Sequence, residues 1–478
     1  MSVGPSTIEC MFELVTESVL LTEMVGAQRD ERVAAARRLF AAGRLCQLRM
    51  ADVDAEDRTQ WCIDNWEAVA AEVGAELGVT RARASSQMNY GLELLERLPM
   101  LGAAFARGEV DFRVIAVVVF RTGLITEPEI LGAIDARLAA KAPKWNAFSR
   151  ARVADAVDWW VRDLDPAAER VARSTDEDRH VEIGPSRDGV AEFWGAVRAP
   201  DAAALDRRLD QLAATVCRGD TRTTRQRRAD ALAVLAAGQS AMSCDCGSPE
   251  CPARDADAEP AQVVIHVLAE QATVSGAGAS PGYLPGYGAV PAEMIRELAT
   301  RARLRPLVPA RELRAEPRYR PSGALADFIR ARDLCCRFPG CDKPAEVCDI
   351  DHTIPYCQGG PTHPSNLALL CRAHHLLKTF WSGQKGWRES QFSDGTIIWT
   401  SPSGRIYTTT PGGTLFFPQL AIPTGELTIT GRQPDDSTPR RTLLMPTRKQ
   451  TRAAERAARI SWERGRNEKR WAADPPPF

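Results

Sequence analysis

The chain has 478 residues, 44% of them hydrophobic and 26% charged, with a formal net charge of −1. That length suits two or three domains, and that composition is ordinary for a soluble globular protein. The near-neutral balance excludes a globally basic nucleic-acid binder, so a phosphate-binding surface would have to come from local segregation of charge. The longest strongly apolar run, Val114 to Phe120, is far too short to cross a bilayer, so no membrane partner is expected. The first residues lack a basic segment followed by an apolar core, so no signal peptide is expected either. Thirteen cysteines, an odd number clustered at metal-ligand spacing, point to a reducing cytoplasm rather than a disulfide framework.

Residues 1 to about 165 read as mostly helical. Arg29–Leu48, Trp66–Leu77, Arg81–Leu98 and Glu127–Ala142 carry apolar residues at three and four spacing. Gly78-Val79-Thr80 breaks the second of these, and Thr80 can cap the third. Helix, glycine turn and helix with Arg81 and Arg83 at its start could be a helix-turn-helix, although a plain helical hairpin is the better-supported reading.

From Arg179 the pattern changes. His180–Ile183 and Val190–Val197 flank a Gly/Pro/Asp-rich turn and suggest a β-hairpin, with His180 a strand-edge residue. Helices are expected over Asp201–Val216 and from Arg225 through Ala237. The segment SCDCGSPECP offers Cys244, Cys246 and Cys251, with His266 or Cys217 as a distant fourth metal ligand; a loop of three free thiols is the alternative. Gln262–Leu268 reads as a strand, 271–291 as a Gly/Ala/Pro-rich loop, Met294–Arg303 as a helix, 306–321 as a basic linker and Ser322–Asp333 as a short helix.

The stretch Cys336–Lys378 holds four of the six histidines and five of the thirteen cysteines. Cys336 and Cys341 form one short-spaced pair, and Cys371 and His374 another, as a closed tetrahedral zinc site requires. Pro339-Gly340 supplies a turn for the first pair. Val347–Ile354 reads as a strand, and Leu367–Phe380 as a helix with Ser365 or Asn366 at its N-cap. Adjacent helical residues differ by about 100°, so His374 and His375 can serve different sites, although spacing alone leaves their roles open. Strand alternation sends Asp351 and His352 in opposite directions. Cys335, Cys348 and Cys357 are left over; Cys335 or Cys348 could replace an assigned ligand, and a buried free thiol is the simpler role for each.

Beyond this stretch, Trp387–Phe392, Thr396–Ser401 and Arg405–Thr408 look like a small antiparallel meander. Arg440 to Trp471 carries eleven Lys/Arg against three Glu. Thr451–Arg470 can be helical with little apolar face, which suits a solvated arm or a phosphate-binding one.

The order of Asp351-His352, Asn366 and His375 resembles the HNH endonuclease family. The segments CRFPGC, DIDHTIPY, GGPTHPSNLALLCRAHH and GTIIWTSPSGRIY resemble its thirteen-E-twelve repeat type, proteins of mobile, multi-copy elements in high-GC bacteria. There a helical domain of unknown function precedes the nuclease module, and LGVTRARA with LPMLGAAFARGEVDF is similar to that domain. The resemblance implies an α+β chain. Residues 1–305 would be the helical domain, 322–382 a ββα-metal HNH module, 383–418 the meander and 419–478 a partly disordered basic tail. It also implies His374 on structural zinc with Cys336, Cys341 and Cys371, and His375 with Asp351 on a catalytic Mg²⁺ or Mn²⁺. His352 would be the general base, Asn366 would orient the loop or complete the ion's shell, and Arg372 and Lys378 would contact phosphates. The implied reaction is hydrolysis of DNA phosphodiesters, by a protein that could self-associate. The alternative is a non-catalytic zinc-containing DNA-binding or interaction protein.

Overall fold

The computed structural model describes residues 16–51, 58–171, 179–253, 266–285, 287–300, 302–381, 386–425, 427 and 444–473. The fold is α+β, in two compact units: Met1–Val171 together with Leu307–Phe478, and Ala172–Pro306.

Among the described residues the first unit begins with seven α-helices: α1 (Glu17–Met50), α2 (Asn65–Leu77), α3 (Arg81–Leu92), α4 (Pro99–Ala106), α5 (Phe112–Arg121), α6 (Pro128–Lys141) and α7 (Arg150–Leu164). Their starts are written in the sequence. Asp64, Thr80, Asp111 and Ser149 each cap a first turn by accepting a backbone N–H, and Pro99 and Pro128 open helices whose first amides need no partner. A π-turn at Glu93–Arg97 ends the long helix expected over 81–98 early. Leu39, Leu101, Phe105, Ile115, Val118, Ile134, Leu138 and Val157 form the buried core. Truncating a buried phenylalanine such as Phe105 would cost about 3–5 kcal/mol. α1 and α3 touch through backbone: a Cβ on Gly91 would lie 2.0 Å from the Leu39 carbonyl oxygen, so only glycine fits there.

The second unit opens with a hairpin of β1 (His180–Arg187) and β2 (Val190–Ala196), closed by Asp188 and Gly189 at positive φ. Helices α8 (Ala199–Ala213) and α9 (Thr224–Ala236) follow, the latter with a complete capping box from Thr223 and Gln226. Residues 271–291, expected as loop, contain α10 (Gln271–Val274) and a two-stranded hairpin, β3 (Gly282–Leu284) with β4 (Gly288–Val290). Leu268 adds a bridge to Tyr283 there, while most of the strand expected over 262–268 lies outside the described residues. α11 (Ala292–Ala299) ends the unit.

The chain then returns to the first unit with α12 (Gly323–Asp333), β5 (Cys348–His352), β6 (Leu367–Cys371) and α13 (Arg372–Phe380). Leu367–Cys371 was expected to be helical. All five of its residues are buried, and each pairs with β5, so they form a strand. An unbroken apolar run of this length cannot by its periodicity distinguish a covered strand from a helix. β7 (Arg388–Gln391), β8 (Ile397–Thr400) and β9 (Ile406–Thr409) form the antiparallel meander.

The C-terminal helix α14 (Arg452–Ala473) is no solvated arm. Arg452 pairs with Asp64 and Glu67, Arg456 with Glu93, Arg464 with Asp165, and Arg470 with Glu169. Asn467 is buried and donates to the carbonyls of Ala167 and Glu169. Four of its six arginines thus pair with acidic groups of the helical core, which explains how a helix with little apolar face can dock.

Candidate metal centre and active site

A buried ionic hub holds this region together. Asp333 is fully buried and accepts from Arg332, from Arg337 and from the backbone of Leu369 on β6. The two guanidiniums also donate to the carbonyls of Pro364, Leu367, Gly395 and Thr409. One carboxylate and two arginines thereby join α12, β6, the loop before it and the meander. Each charge is paired and hydrogen-bonded, as burial demands.

On that frame four soft donors converge. Cys336 and Cys341 come from a turn in which Gly340 takes φ 75°. Cys371 ends β6 and serves as the N-cap residue of α13, and His374 lies in the first helical turn. The thiol sulfurs and one His374 nitrogen all lie within 4.8 Å of one another. His374 Nδ1 is 3.4 Å from both Cys336 Sγ and Cys371 Sγ, and Cys341 Sγ is 4.0 Å from Cys371 Sγ. Tetrahedral zinc with Zn–S of about 2.3 Å needs sulfurs roughly 3.8 Å apart, so this donor set fits zinc. Phe338 stacks on the His374 ring at 4.0 Å and holds it edge-on to the sulfurs. Gly340 packs on the α2–α3 turn so closely that a Cβ would lie 2.7 Å from the Val79 carbonyl oxygen. The turn of the possible helix-turn-helix is thus covered by the Cys336–Cys341 turn, in keeping with a plain hairpin. Cys335 and Cys348 stay outside the cage: burial pushes the Cys335 thiol up to about 11, and Cys348 Sγ contacts the Lys343 carbonyl at 3.4 Å.

A second constellation lies along β5 and α13. Asp349 and Asp351, two apart on a strand, share a face, and His375 sits between them. His375 Nδ1 is 2.9 Å from Asp349 Oδ2, and Nε2 is 3.4 Å from Asp351 Oδ1. Asp351 above all, then Asp349, raises the His375 pKa from its usual value against the effect of burial. Burial pushes the Asp351 carboxyl up, but His375 and Lys378 more than reverse this. A carboxylate and an imidazole side by side are the donor types that would hold a divalent cation once His375 is deprotonated. Magnesium and manganese accept that arrangement.

His352 points the opposite way. It is buried, stacks on Tyr319 at 5.3 Å, and has Nε2 2.9 Å from Thr362 Oγ1. The Thr362 hydroxyl has one proton, and that proton goes to the Arg318 carbonyl oxygen 2.5 Å away. Thr362 must therefore accept from His352 Nε2–H, which leaves Nδ1 as the basic nitrogen. Burial lowers the His352 pKa below its usual value, with Asp351 opposing, so the ring is neutral at pH 7.

Asn366 clamps the intervening loop: its Oδ1 accepts from Ile354 N at 2.8 Å, and its Nδ2 donates to the carbonyls of Ile354 and Pro361. It caps no helix; it lies in a short 3₁₀ turn before β6. Arg372 is exposed, 3.6 Å from Asp349. Lys378 is largely covered, and its ammonium contacts Asp351 at 2.7 Å, Glu389 at 2.6 Å and the His352 carbonyl at 2.6 Å. Burial lowers its pKa, and Glu389 and Asp351 raise it by more. Its donors are directed inward.

Sequence reasoning missed Asp349, Thr362, Glu389 and the Arg332–Asp333–Arg337 hub. Asp349 was within reach, because period-two spacing on β5 sets it beside Asp351. Glu389 and Thr362 arrive from the meander and a loop, with no local pattern to mark them.

Two families match the chain. Residues 26–333 match the family described as "Domain of unknown function (DUF222)", and residues 335–380 match "HNH endonuclease". The uncharacterized protein Rv3776 of Mycobacterium tuberculosis is 44% identical over 94% of this chain and 90% of its own length. A second uncharacterized protein of that organism, Rv2100, is 41% identical over 98% of this chain and 93% of its own length. No solved structure matches. No helix among the described residues is long and apolar enough to cross a membrane. With 308 of 478 residues inside the first match and the ββα-metal module directly after it, the chain belongs to the DUF222 family and carries an HNH endonuclease domain behind its helical part.

Proposed function

We propose that the protein is a divalent-metal-dependent endonuclease that hydrolyses DNA phosphodiesters, with a structural zinc held by Cys336, Cys341, Cys371 and His374. The observation that carries this reading is the pairing of a neutral, tautomer-defined His352 with the Asp351–His375 pair on the opposite side of β5. His352 Nδ1 takes the proton of the attacking water, and Thr362 holds Nε2–H so that the ring accepts on the correct nitrogen. Asp351 and His375 hold the divalent ion, which supplies charge stabilisation at the phosphoryl and leaving oxygens. Asp349 fixes the His375 ring through Nδ1, as carboxylates behind metal-binding histidines do. Asn366 keeps the loop between the two strands closed, and Arg372 meets the phosphate backbone. Lys378 acts from inside, its ammonium joining the carboxylates of Asp351 and Glu389.

The test is cleavage of supercoiled plasmid with Mg²⁺ or Mn²⁺, measured beside zinc content and thermal unfolding. Wild-type protein nicks the plasmid, whereas His352→Ala does not, yet keeps its zinc and its melting temperature. Wild-type protein that binds DNA in a salt-dependent way but cuts no duplex, single strand or RNA with either ion establishes the non-catalytic alternative instead.

A further inference from the structure

We propose that Cys217, Cys244, Cys246 and Cys251 form a second structural zinc site, within the Ala172–Pro306 unit and independent of the nuclease reading. In the sequence, 26 residues separate Cys217 from the CDC segment, and His266 competes for the fourth position. The fold selects Cys217. The four sulfurs lie within 4.8 Å of one another, His266 is not in the group, and Cys217 Sγ is 3.5 Å from Cys244 Sγ. All four are free, half-buried thiols. Four sulfurs at this separation match the edges of a zinc tetrathiolate, about 3.8 Å, and exceed the roughly 2.05 Å of a disulfide.

The backbone around them is shaped for thiolates. The Gly219 amide donates to Cys217 Sγ at 3.3 Å, and the Cys244 and Cys251 amides donate to the carbonyls of Ala253 and Ser248, which folds the loop back on itself. The first donor is two residues after its cysteine, so a tight turn presents an N–H group to sulfur. Such bonds disperse the negative charge that four thiolates place on one ion. A network behind the sulfurs ties the two cysteine-bearing segments together. The Asp220 carboxylate accepts from the backbone N–H of both Arg222 and Asp245, and the Arg222 side chain reaches the Ser243 carbonyl at 2.8 Å.

The local core explains why a staple is needed. Next to the cysteines, the buried apolar cluster consists of Leu212, Ala231 and Met242, with Leu209, Val216 and Val234 partly covered. A core this small cannot hold the ends of α8 and α9 and the Ser243–Ala253 loop in place, and a metal is a common substitute for apolar burial. Zinc is the ion that an all-sulfur tetrahedral set in a reducing environment selects.

The test is elemental analysis of the full-length chain purified under reducing conditions, together with native-state alkylation mapped by peptide mass. Two zinc per chain are expected, falling to one in Cys244→Ser/Cys246→Ser and to one in Cys371→Ser, because the two cages are separate. In the wild type, Cys217, Cys244, Cys246 and Cys251 should resist alkylation until a chelator is added, a readout that does not depend on either variant folding. One zinc per chain, wholly lost in Cys371→Ser, overturns the proposal. So do ready alkylation of these four thiols in zinc-loaded protein, stoichiometric iron, and a disulfide between any two of them. Plasmid cleavage enters none of these readouts, so an inactive nuclease leaves the result standing.

Discussion

His352 Nε2 and Thr362 Oγ1 lie 2.9 Å apart, and the threonine's own proton is already committed to the Arg318 carbonyl. That commitment sets the tautomer of His352, the base in the proposed reaction. Thr362→Val keeps the shape and removes the acceptor, so His352 loses the preference for carrying its proton on Nε2. Positioned bases contribute about 10²–10⁴-fold, so we expect cleavage to fall by roughly 10²-fold in Thr362→Val. Thr362→Ser should restore most of it. DNA affinity and zinc content should not change. Cleavage at the wild-type rate in the valine variant would show that the tautomer is set elsewhere.

Lys378 gives a second separation of roles. It lies between Asp351 and Glu389, both largely buried, and replacing it by Met leaves Glu389 without a cation and Asp351 with His375 alone. Removing one partner of a buried ion pair costs about 3–5 kcal/mol, so Lys378→Met should lose that much stability in urea unfolding. Glu389→Gln in the same chain should recover part of the loss. A lysine whose task was to touch DNA phosphate would behave otherwise: stability would hold, and the salt dependence of DNA binding would flatten by about one charge.

How far the residues disclosed this arrangement depends on where each signal resides. The four donors of the proposed zinc cage are short-range pairs joined by a turn and a helix, so their spacing suggested a cage, while the choice of His374 over His375 came from the family resemblance. Capped helices such as Arg81–Leu92 were legible for the same reason, since Thr80 announces the start within one turn. Leu367–Cys371 was misread because strand and helix bury an uninterrupted apolar run equally well. Thr362 and Glu389 meet partners 10 and 11 residues away, and the Arg332–Asp333–Arg337 hub, local in its own ion pairs, reaches carbonyls up to 72 residues away, distances no local pattern spans. Cys217 is intermediate: it was named as a candidate, but only the fold could prefer it to His266.

The C-terminal helix makes a claim about the tail that composition would reverse. Eleven basic residues between Arg440 and Trp471 suggest an arm for DNA, yet several are paired with Asp64, Glu67, Glu93, Asp165 and Glu169. Ending the chain after Thr451 leaves those five carboxylates without their helical partners and uncovers the groups that Asn467 satisfies. We expect a melting temperature several degrees lower, with the salt dependence of DNA binding unchanged. An unaltered melting temperature with a shallower salt slope would mean that the helix leaves the core to bind phosphate.

Asp158 supplies a test by pH. Its Oδ2 pairs with Arg121 at 2.9 Å, but its Oδ1 is buried with no hydrogen-bond partner. Burial dominates, with Glu169 adding to it and Arg121 opposing, and the carboxyl is pushed up to about 6 from 3.8. The folded state therefore binds this proton more tightly than the unfolded one. Below about pH 4 the group is neutral in both states and neither gains. Between 4 and 6 the unfolded carboxyl ionises while the folded one resists, so stability falls with rising pH; above 6 the full penalty, up to about 3 kcal/mol, is in place. Asp158→Asn has no such titration, although it weakens the Arg121 contact at every pH. The difference in melting temperature, variant minus wild type, should thus increase by several degrees from pH 4.5 to pH 7.5 and then level off. A difference that stays flat over that interval would place the Asp158 carboxylate in a far better solvated position than its unpartnered oxygen implies.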